Sequence, residues 1–299
     1  MKNVKLTALL FIVLALLPLP SLASDLLTQA QSQYTNLQTP AGNIQLHYKT
    51  LGSGDRTTVL VHGGACDMTF WDQQVEALAS VGKVILLDLA GHGLSDKPEI
   101  DYTMKLFAQS VNAVMEATNT EKAVFMGHSM GVPTLREFYR AWPEKMQGMV
   151  AVDGIVYYDE PSWIMGALHW LMDSPLYDSL WGTFVDTMTN EHTPDALRER
   201  VSVSMKGAPR HVVLSFMEQM TAPETAYNDK IDIPLLAIYA PSPAWSDGIE
   251  QKISAIAPNS SLVQMQGVSH FLLGEKPLQI NPLLVQFVSE SAPALVSAQ

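Results

Sequence analysis

The sequence predicts an α/β fold: a mostly parallel β-sheet with helices on both faces and a helical segment inserted late in the chain. Three observations predict it. Short apolar runs alternate with stretches of helical spacing from residue 43 to residue 154, and again after residue 226. The strand-like runs are continuously apolar rather than alternating, as a sheet covered on both faces requires. The repeated strand–helix order calls for right-handed crossovers, which make neighbouring strands parallel.

The elements follow in order. Residues 25–36 read as a polar lead-in, and N-I-Q-L-H-Y-K-T (43–50) alternates as a half-exposed strand with His47 on its exposed face. T-T-V-L-V-H-G-G (57–64) is a buried strand running into glycine. Phe70 to Ser80 has helical spacing, V-I-L-L-D-L (84–89) is a second buried strand, and 101–118 is an amphipathic helix. A-V-F-M (123–126) is a strand, 130–141 a helix, and M-V-A-V-D-G (149–154) a strand. Between 155 and 225 the strand signal disappears; six of the 15 methionines lie there, with Trp163, Trp170, Trp181 and Phe184, on helical patterns broken by prolines. The sheet pattern resumes with I-P-L-L-A-I-Y-A (233–240), a helix near 246–256, S-L-V-Q-M (261–265) and a last helix near 277–290. The expected organisation is a signal peptide over 1–23, a core over 24–154, a helical insertion over 155–225 and the rest of the core over 226–299.

The first residues have an export layout. Lys2 and Lys5 precede an apolar run from Leu6 to Leu17, too short to span a bilayer, and Ser21-Leu22-Ala23 offers small residues for cleavage after Ala23. An uncleaved N-terminal anchor is the competing reading. Cleavage leaves no stable membrane anchor and places the protein in the periplasm or the medium. It also removes two positive charges from a chain whose formal charge is already −12. That balance excludes nucleic acid as a partner, because phosphate binding needs a cationic face. A single cysteine, Cys66, permits no intrachain disulfide, so stability rests on core burial. The eight histidines form no HxxxH pair with a nearby acid, so no metal site is expected, and the chemistry below asks for no cofactor.

The chemistry centres on G-H-S-M-G (127–131), a strand–turn–helix pentapeptide. A sharp turn strains the backbone at Ser129 and leaves no room for side chains two residues either side, hence Gly127 and Gly131. The turn lifts the hydroxyl to a helix N-terminus, where negative charge is favoured. A serine needs a base. His270, in G-V-S-H-F-L (267–272) after the last strand, is the histidine placed at a strand's C-terminal edge late in the chain. His62 and His92 are read as loop supports. Backbone N–H groups of Met130 and of Gly64, with Ala65 as neighbour, are the expected donors to an oxyanion. Asp67 is read as a helix cap.

These segments, H-G-G (62–64), D-L-A-G-H-G-L-S-D-K-P (88–98), G-H-S-M-G and G-V-S-H-F, resemble the α/β-hydrolase superfamily, in the branch with a helical cap after the sixth strand. The resemblance covers nearly the whole chain after the leader. It implies a Ser–His–acid triad and acyl transfer, and it is not specific for a substrate. One family element is displaced: the position after the seventh strand where the acid usually sits holds Pro243. Some members, including some haloalkane dehalogenases and lipases, place the acid at the end of the sixth strand, which here is Asp153. Asp247 is the rival, and a dyad or Glu250 the remaining options. A serine nucleophile argues against dehalogenase and epoxide-hydrolase chemistry. Trp163, Met165, Trp170, Met172, Trp181, Phe184, Met217 and Met220 offer an apolar, deformable surface to a substrate, whereas Arg198, Arg200 and Arg210 are read as a solvated helix face. The expectation is a hydrolase for a small hydrophobic ester or lactone. Carbon–carbon bond hydrolysis of the ring-cleavage type and a non-catalytic binder of apolar ligands are the alternatives.

Overall fold

The computed structural model describes residues 22–158, 171–220, 227–242 and 248–291. An eight-stranded sheet has the order β1-β2-β4-β3-β5-β6-β7-β8. Its strands are β1 Gln33–Thr39, β2 Gly42–Leu51, β3 Thr57–Val61, β4 Lys83–Leu87, β5 Ala123–His128, β6 Met146–Val152, β7 Leu235–Tyr239 and β8 Ser260–Gln264. The first hairpin and the β2–β4 pair are antiparallel; every other pairing is parallel. The central strands β3, β5 and β7 are buried at every position, which is why they read as unbroken apolar runs.

Helices cover both faces. One hydrophobic cluster packs α3 (Met104–Ala117), α4 (Gly131–Ala141) and α8 (Ile249–Ile256) against one side. A second joins α1 (Leu22–Gln29), α2 (Asp72–Ala79), α9 (Leu272–Glu275) and α10 (Pro277–Ser291) to the other. The lead-in expected over 25–36 is instead α1 followed by β1. The polar spacing of β1 misled because it is an edge strand whose side chains are mostly exposed. Helix α3 begins at Met104 rather than at 101 because the Thr103 side chain accepts the Leu106 N–H and caps it. His47 is buried rather than exposed, hydrogen-bonded to Asp88 and Ser32.

Between β6 and β7 the described chain makes three helices, α5 Tyr177–Asp186, α6 Asp195–Lys206 and α7 Arg210–Met220. The two ends of this excursion meet in an antiparallel bridge, Tyr158 to Tyr227. Just beyond it, Asp229 is gripped by α4. Arg136, fully buried, donates to the Asp229 carbonyl at 2.9 Å and pairs with its carboxylate at 3.0 Å, and Arg140 adds a second guanidinium. The helix that starts at Ser129 thus clamps the chain's return to the sheet. The interior is hostile to an unpaired guanidinium, so Arg136 needs its partner, whereas a well-packed apolar side chain in its place costs little. Asp229→Ala is expected to lower the unfolding free energy by about 2 kcal/mol, below the figure for a fully buried pair because Asp229 is part-exposed. Arg136→Met should cost less than Asp229→Ala; urea unfolding of the two variants checks the order.

Candidate active site

The site is assembled at the C-terminal edge of the parallel strands. Beyond β5 the chain turns through Ser129, whose φ is 52°, a left-handed conformation few side chains adopt. Two hydrogen bonds hold it: Ser129 N–H to Val152 O at 2.9 Å, and Val132 N–H to Ser129 O at 2.9 Å. The glycines are steric necessities. A Cβ at Gly127 would stand 2.7 Å from the Gly131 carbonyl group, and one at Gly131 would stand 2.5 Å from Val61 O.

The loop after β3 approaches from the side. A Cβ on Gly63 would meet the Ser129 Cβ at 3.0 Å, and one on Gly64 would meet the Phe216 ring at 2.9 Å. Neither the Gly64 N–H nor the Met130 N–H has an acceptor among the described residues. Both are therefore available to a developing oxyanion. The loop is braced from α6, where Ser204 Oγ donates to Ala65 O at 3.1 Å, and Asp67 caps the short helical turn that follows.

Asp153 is the residue immediately after β6, at φ 44°. Its N–H extends the ladder to Ile238 O at 2.8 Å. Its carboxylate accepts the Ala240 N–H on Oδ1 at 2.9 Å and His270 Nδ1 on Oδ2 at 2.7 Å. Gly154 must follow, since a Cβ there would lie 2.4 Å from Ser129 O. Of the alternative acids, Asp247 lies outside the described residues, as does Pro243, and Glu250 is exposed on α8.

His270 sits in the loop between β8 and α9. With Nδ1–H given to Asp153, its Nε2 is the free lone pair of a neutral ring. No hydrogen bond among the described residues joins Nε2 to Ser129 Oγ in this conformation, though both residues border one cavity; such contacts are often loose without a substrate. The loop is fixed on two sides. Glu275 accepts from Ser269 and from Thr193, and Asn190 Nδ2 donates to Val268 O at 3.1 Å. The loop before α6 thereby touches the loop that carries the histidine.

His128, the variable residue of G-H-S-M-G, had no role in the sequence reading. Its ring lies 4.8 Å from that of His270, and its Nε2 hydrogen-bonds the His270 carbonyl at 2.8 Å. Since a carbonyl only accepts, Nε2 carries the proton. Nδ1 is buried and without a partner among the described residues. Burial, reinforced by the field of His270, holds the imidazole at a pKa of about 3, so it stays neutral beside the base. The only sequence signal was its place next to the serine.

A cavity of about 100 Å³ opens over Ser129. Trp181, Phe184, Met217 and Met220 line it as expected, with Met188, Met205 and Phe216 in addition. Met172 is buried away from it, and Trp163, Met165 and Trp170 lie outside the described residues. Cys66 also borders the cavity, but burial raises its thiol pKa and leaves it an uncharged packing group. Arg200 is not a solvated side chain. It pairs with Asp72 at 2.9 Å and lies over the Phe70 ring, tying α6 to α2. His62 and His92 support their loops: His62 bonds Gly63 O and accepts the Leu89 N–H, and His92 bonds Ala90 O.

The family model for the alpha/beta hydrolase fold matches residues 58–208. The chain belongs to the α/β-hydrolase family. A relative from Paraburkholderia xenovorans (strain LB400), named 2-hydroxy-6-oxononadienedioate/2-hydroxy-6-oxononatrienedioate hydrolase, is 25% identical over 86% of this chain and 95% of its own. The Escherichia coli (strain K12) protein of the same name is 30% identical over 42% of this chain and 45% of its own. Among solved structures, a thermophilic esterase from Thermogutta terrifontis superposes with a TM-score of 0.76 at 20% identity, over 87% of this chain and 99% of its own. The enol-lactonase from Burkholderia xenovorans LB400 gives 0.73 at 17% identity, over 85% of this chain and 100% of its own. This α/β-hydrolase is accordingly a hydrolytic enzyme of a family with several substrate classes.

Three buried histidines give the α/β-hydrolase a pH liability. Burial lowers the pKa of His62, and lowers those of His92 and His128 to about 3, from the 6.5 of a free imidazole. The unfolded chain therefore binds more protons than the folded one between those limits, and stability falls as pH falls. Their contribution is complete above about pH 6.5 and is progressively lost toward pH 3. The melting temperature is expected to drop steadily from pH 7 to pH 4, and His92→Phe should flatten that slope.

Proposed function

We propose that this α/β-hydrolase cleaves a small hydrophobic carboxylic ester or lactone through an acyl-enzyme on Ser129. The observation that carries the reading is the 2.7 Å bond from His270 Nδ1 to Asp153, which turns the Nε2 lone pair of a residue bordering the same cavity as Ser129 into a base. In the first step Ser129 Oγ attacks the substrate carbonyl and its proton passes to His270 Nε2. Asp153, which accepts the His270 Nδ1–H and the Ala240 N–H, stabilises the imidazolium. The Gly64 and Met130 N–H groups receive the oxyanion, each worth about 3–4 kcal/mol in the transition state. His270 returns the proton to the leaving alcohol, then takes one from water to release the acid.

The cavity decides the substrate class. Its described walls are mostly aromatic and thioether side chains, with the glycines, Cys66 and two imidazoles and no lysine or arginine. At about 100 Å³ it is smaller than the roughly 150 Å³ cavity that holds benzene, so it suits a short acyl or alkyl group. Carbon–carbon hydrolysis is the second reading, favoured by the names of the two relatives above. It ranks lower because a dienedioate brings two carboxylates, and these walls offer them no cation. Against the non-catalytic binder reading stands the bond from His270 Nδ1 to Asp153, which supplies an acid partner although none follows the seventh strand at the usual position.

Export completes the proposal, resting on Lys2, Lys5, the apolar run to Leu17 and the small residues to Ala23. Cleavage after Ala23 would keep Leu27, which is buried and whose carbonyl accepts Lys49 Nζ at 2.9 Å. N-terminal sequencing of protein from the periplasm or the medium should read from Ser24.

Ester hydrolysis tests the roles. Ser129→Ala is expected to lower kcat by about 10⁶-fold and Asp153→Asn by about 10⁴-fold, with circular dichroism unchanged. Full turnover by Asp153→Asn would remove that residue from the mechanism. Acetyl to butyryl esters should exceed decanoyl esters in kcat/KM by at least about tenfold. A preference for the dienedioate over every ester would instead select the carbon–carbon reading.

A further inference from the structure

A second Ser–His–Asp array lies on the far side of β4, outside the site described above. Ser32 precedes β1, His47 is on β2 and Asp88 follows β4. Ser32 Oγ is 2.8 Å from His47 Nε2, and His47 Nδ1 is 2.8 Å from Asp88 Oδ2. Asp88 also accepts the Met68 N–H at 2.9 Å and the Leu94 N–H at 2.8 Å. Burial works against its charge, but the bonds from His47, Leu94 and Met68 and the field of His62 outweigh that and hold its pKa below the usual carboxylate range. An ionised Asp88 has no proton to give, so His47 Nδ1 supplies the hydrogen. In the neutral ring Nε2 is then the acceptor, and Ser32 donates its hydroxyl proton to it. Polarity and order are those of an activated serine. Ser32 is exposed, and a groove of about 520 Å³ runs past it, bordered by His47, Lys49, Asp67, Asp88 and Arg200.

We propose that Ser32 is a second nucleophile of this chain, an acceptor for acyl or phosphonyl groups from donors with a good leaving group. His47 Nε2 takes the hydroxyl proton as the Ser32 Oγ–acyl bond forms and the bond to the leaving alcohol or thiol breaks; the departing oxygen or sulfur takes that proton. Three N–H groups that border the groove are already held by carboxylates: Met68 and Leu94 by Asp88, and Thr69 by Asp67. A developing oxyanion finds none of those donors. The site therefore accepts a group but releases it slowly, in contrast to Ser129 with the open N–H groups of Gly64 and Met130. The inference does not rest on the reading of Ser129.

Treatment of the full chain with an alkyl fluorophosphonate, followed by peptide mass spectrometry, tests it. Here the Oγ–P bond forms, P–F breaks, fluoride leaves as the anion, and the proton passes through His47 to solvent. Ser129→Ala protein is expected to take one adduct, at Ser32. The double variant with Ser32→Ala should take none, and the double variant with His47→Gln should label about a hundredfold more slowly. Ser32 is exposed, so its alanine variant carries the test even where His47→Gln does not fold. No adduct in Ser129→Ala protein, an adduct elsewhere, or labelling of a folded His47→Gln protein at the parent rate overturns the proposal. Wild-type protein labelled at Ser32 but not at Ser129 would keep it while refuting the proposed function. Labelling of Ser129 alone would do the reverse.

Discussion

The geometry of the active site depends on the parallel ladder running one residue past the end of each strand. Ser129 N–H bonds Val152 O, Asp153 N–H bonds Ile238 O, and Met265 N–H bonds Tyr239 O, so β5 is tied to β6, β6 to β7 and β7 to β8 at one level of the sheet. This register places Ser129 and Asp153, whereas His270, five residues beyond Met265, is held by the contacts of its own loop. Two of the positions require positive φ, 52° at Ser129 and 44° at Asp153, a conformation that costs of order 1–3 kcal/mol each. At each position one ladder bond, Ser129 N–H to Val152 O and Asp153 N–H to Ile238 O, holds that strain where the chain leaves the sheet.

The same register explains how much was legible beforehand. The strands were readable because β3, β5 and β7 are buried on both faces, and Ser129 because its glycines are sterically forced. His270 followed from its place after the last strand. Asp153 was legible only as a strand-end acid before glycine, and Gly154 is now seen to be required by the Ser129 carbonyl. The sequence could not reveal β1, whose exposed residues alternate weakly, or the burial of His47, whose partners lie fifteen and 41 residues away. The roles of His128, Asn190, Thr193 and Glu275 were equally hidden. They act through backbone carbonyls and neighbouring side chains brought together by folding, and no local pattern announces such contacts.

The helices between β6 and β7 are part of the site's support, not only its cover. Ser204 braces the loop of Gly63 and Gly64, Arg200 ties α6 to α2, and the residues before α6 hold the His270 loop through Glu275. The return of this segment to the sheet is clamped by α4, the helix that begins at Ser129. A shift of α6 would therefore move an oxyanion donor and the base together. Met205 of the same helix lines the cavity beside residues of α5 and α7, so the helix that braces these loops also forms part of the cavity wall.

The two serine arrays share their parts but differ in where the backbone N–H groups go. Both have a carboxylate held by backbone N–H groups and an imidazole whose tautomer that carboxylate fixes. At Asp153 the carboxylate accepts the Ala240 N–H and His270 Nδ1, while the N–H groups of Gly64 and Met130 find no acceptor among the described residues. At Asp88 the acid absorbs the N–H groups of two neighbouring turns, Met68 and Leu94, so these donors hold the loop of D-L-A-G-H-G-L-S instead of facing the groove. Proton abstraction alone is worth about 10²–10⁴-fold, and a single preorganised donor adds about 10²–10³-fold. With two such donors the second contribution exceeds the first. The two arrays share the Ser–His–Asp order and differ in the disposition of their backbone N–H groups, which is the basis of the different chemistry proposed for Ser129 and for Ser32.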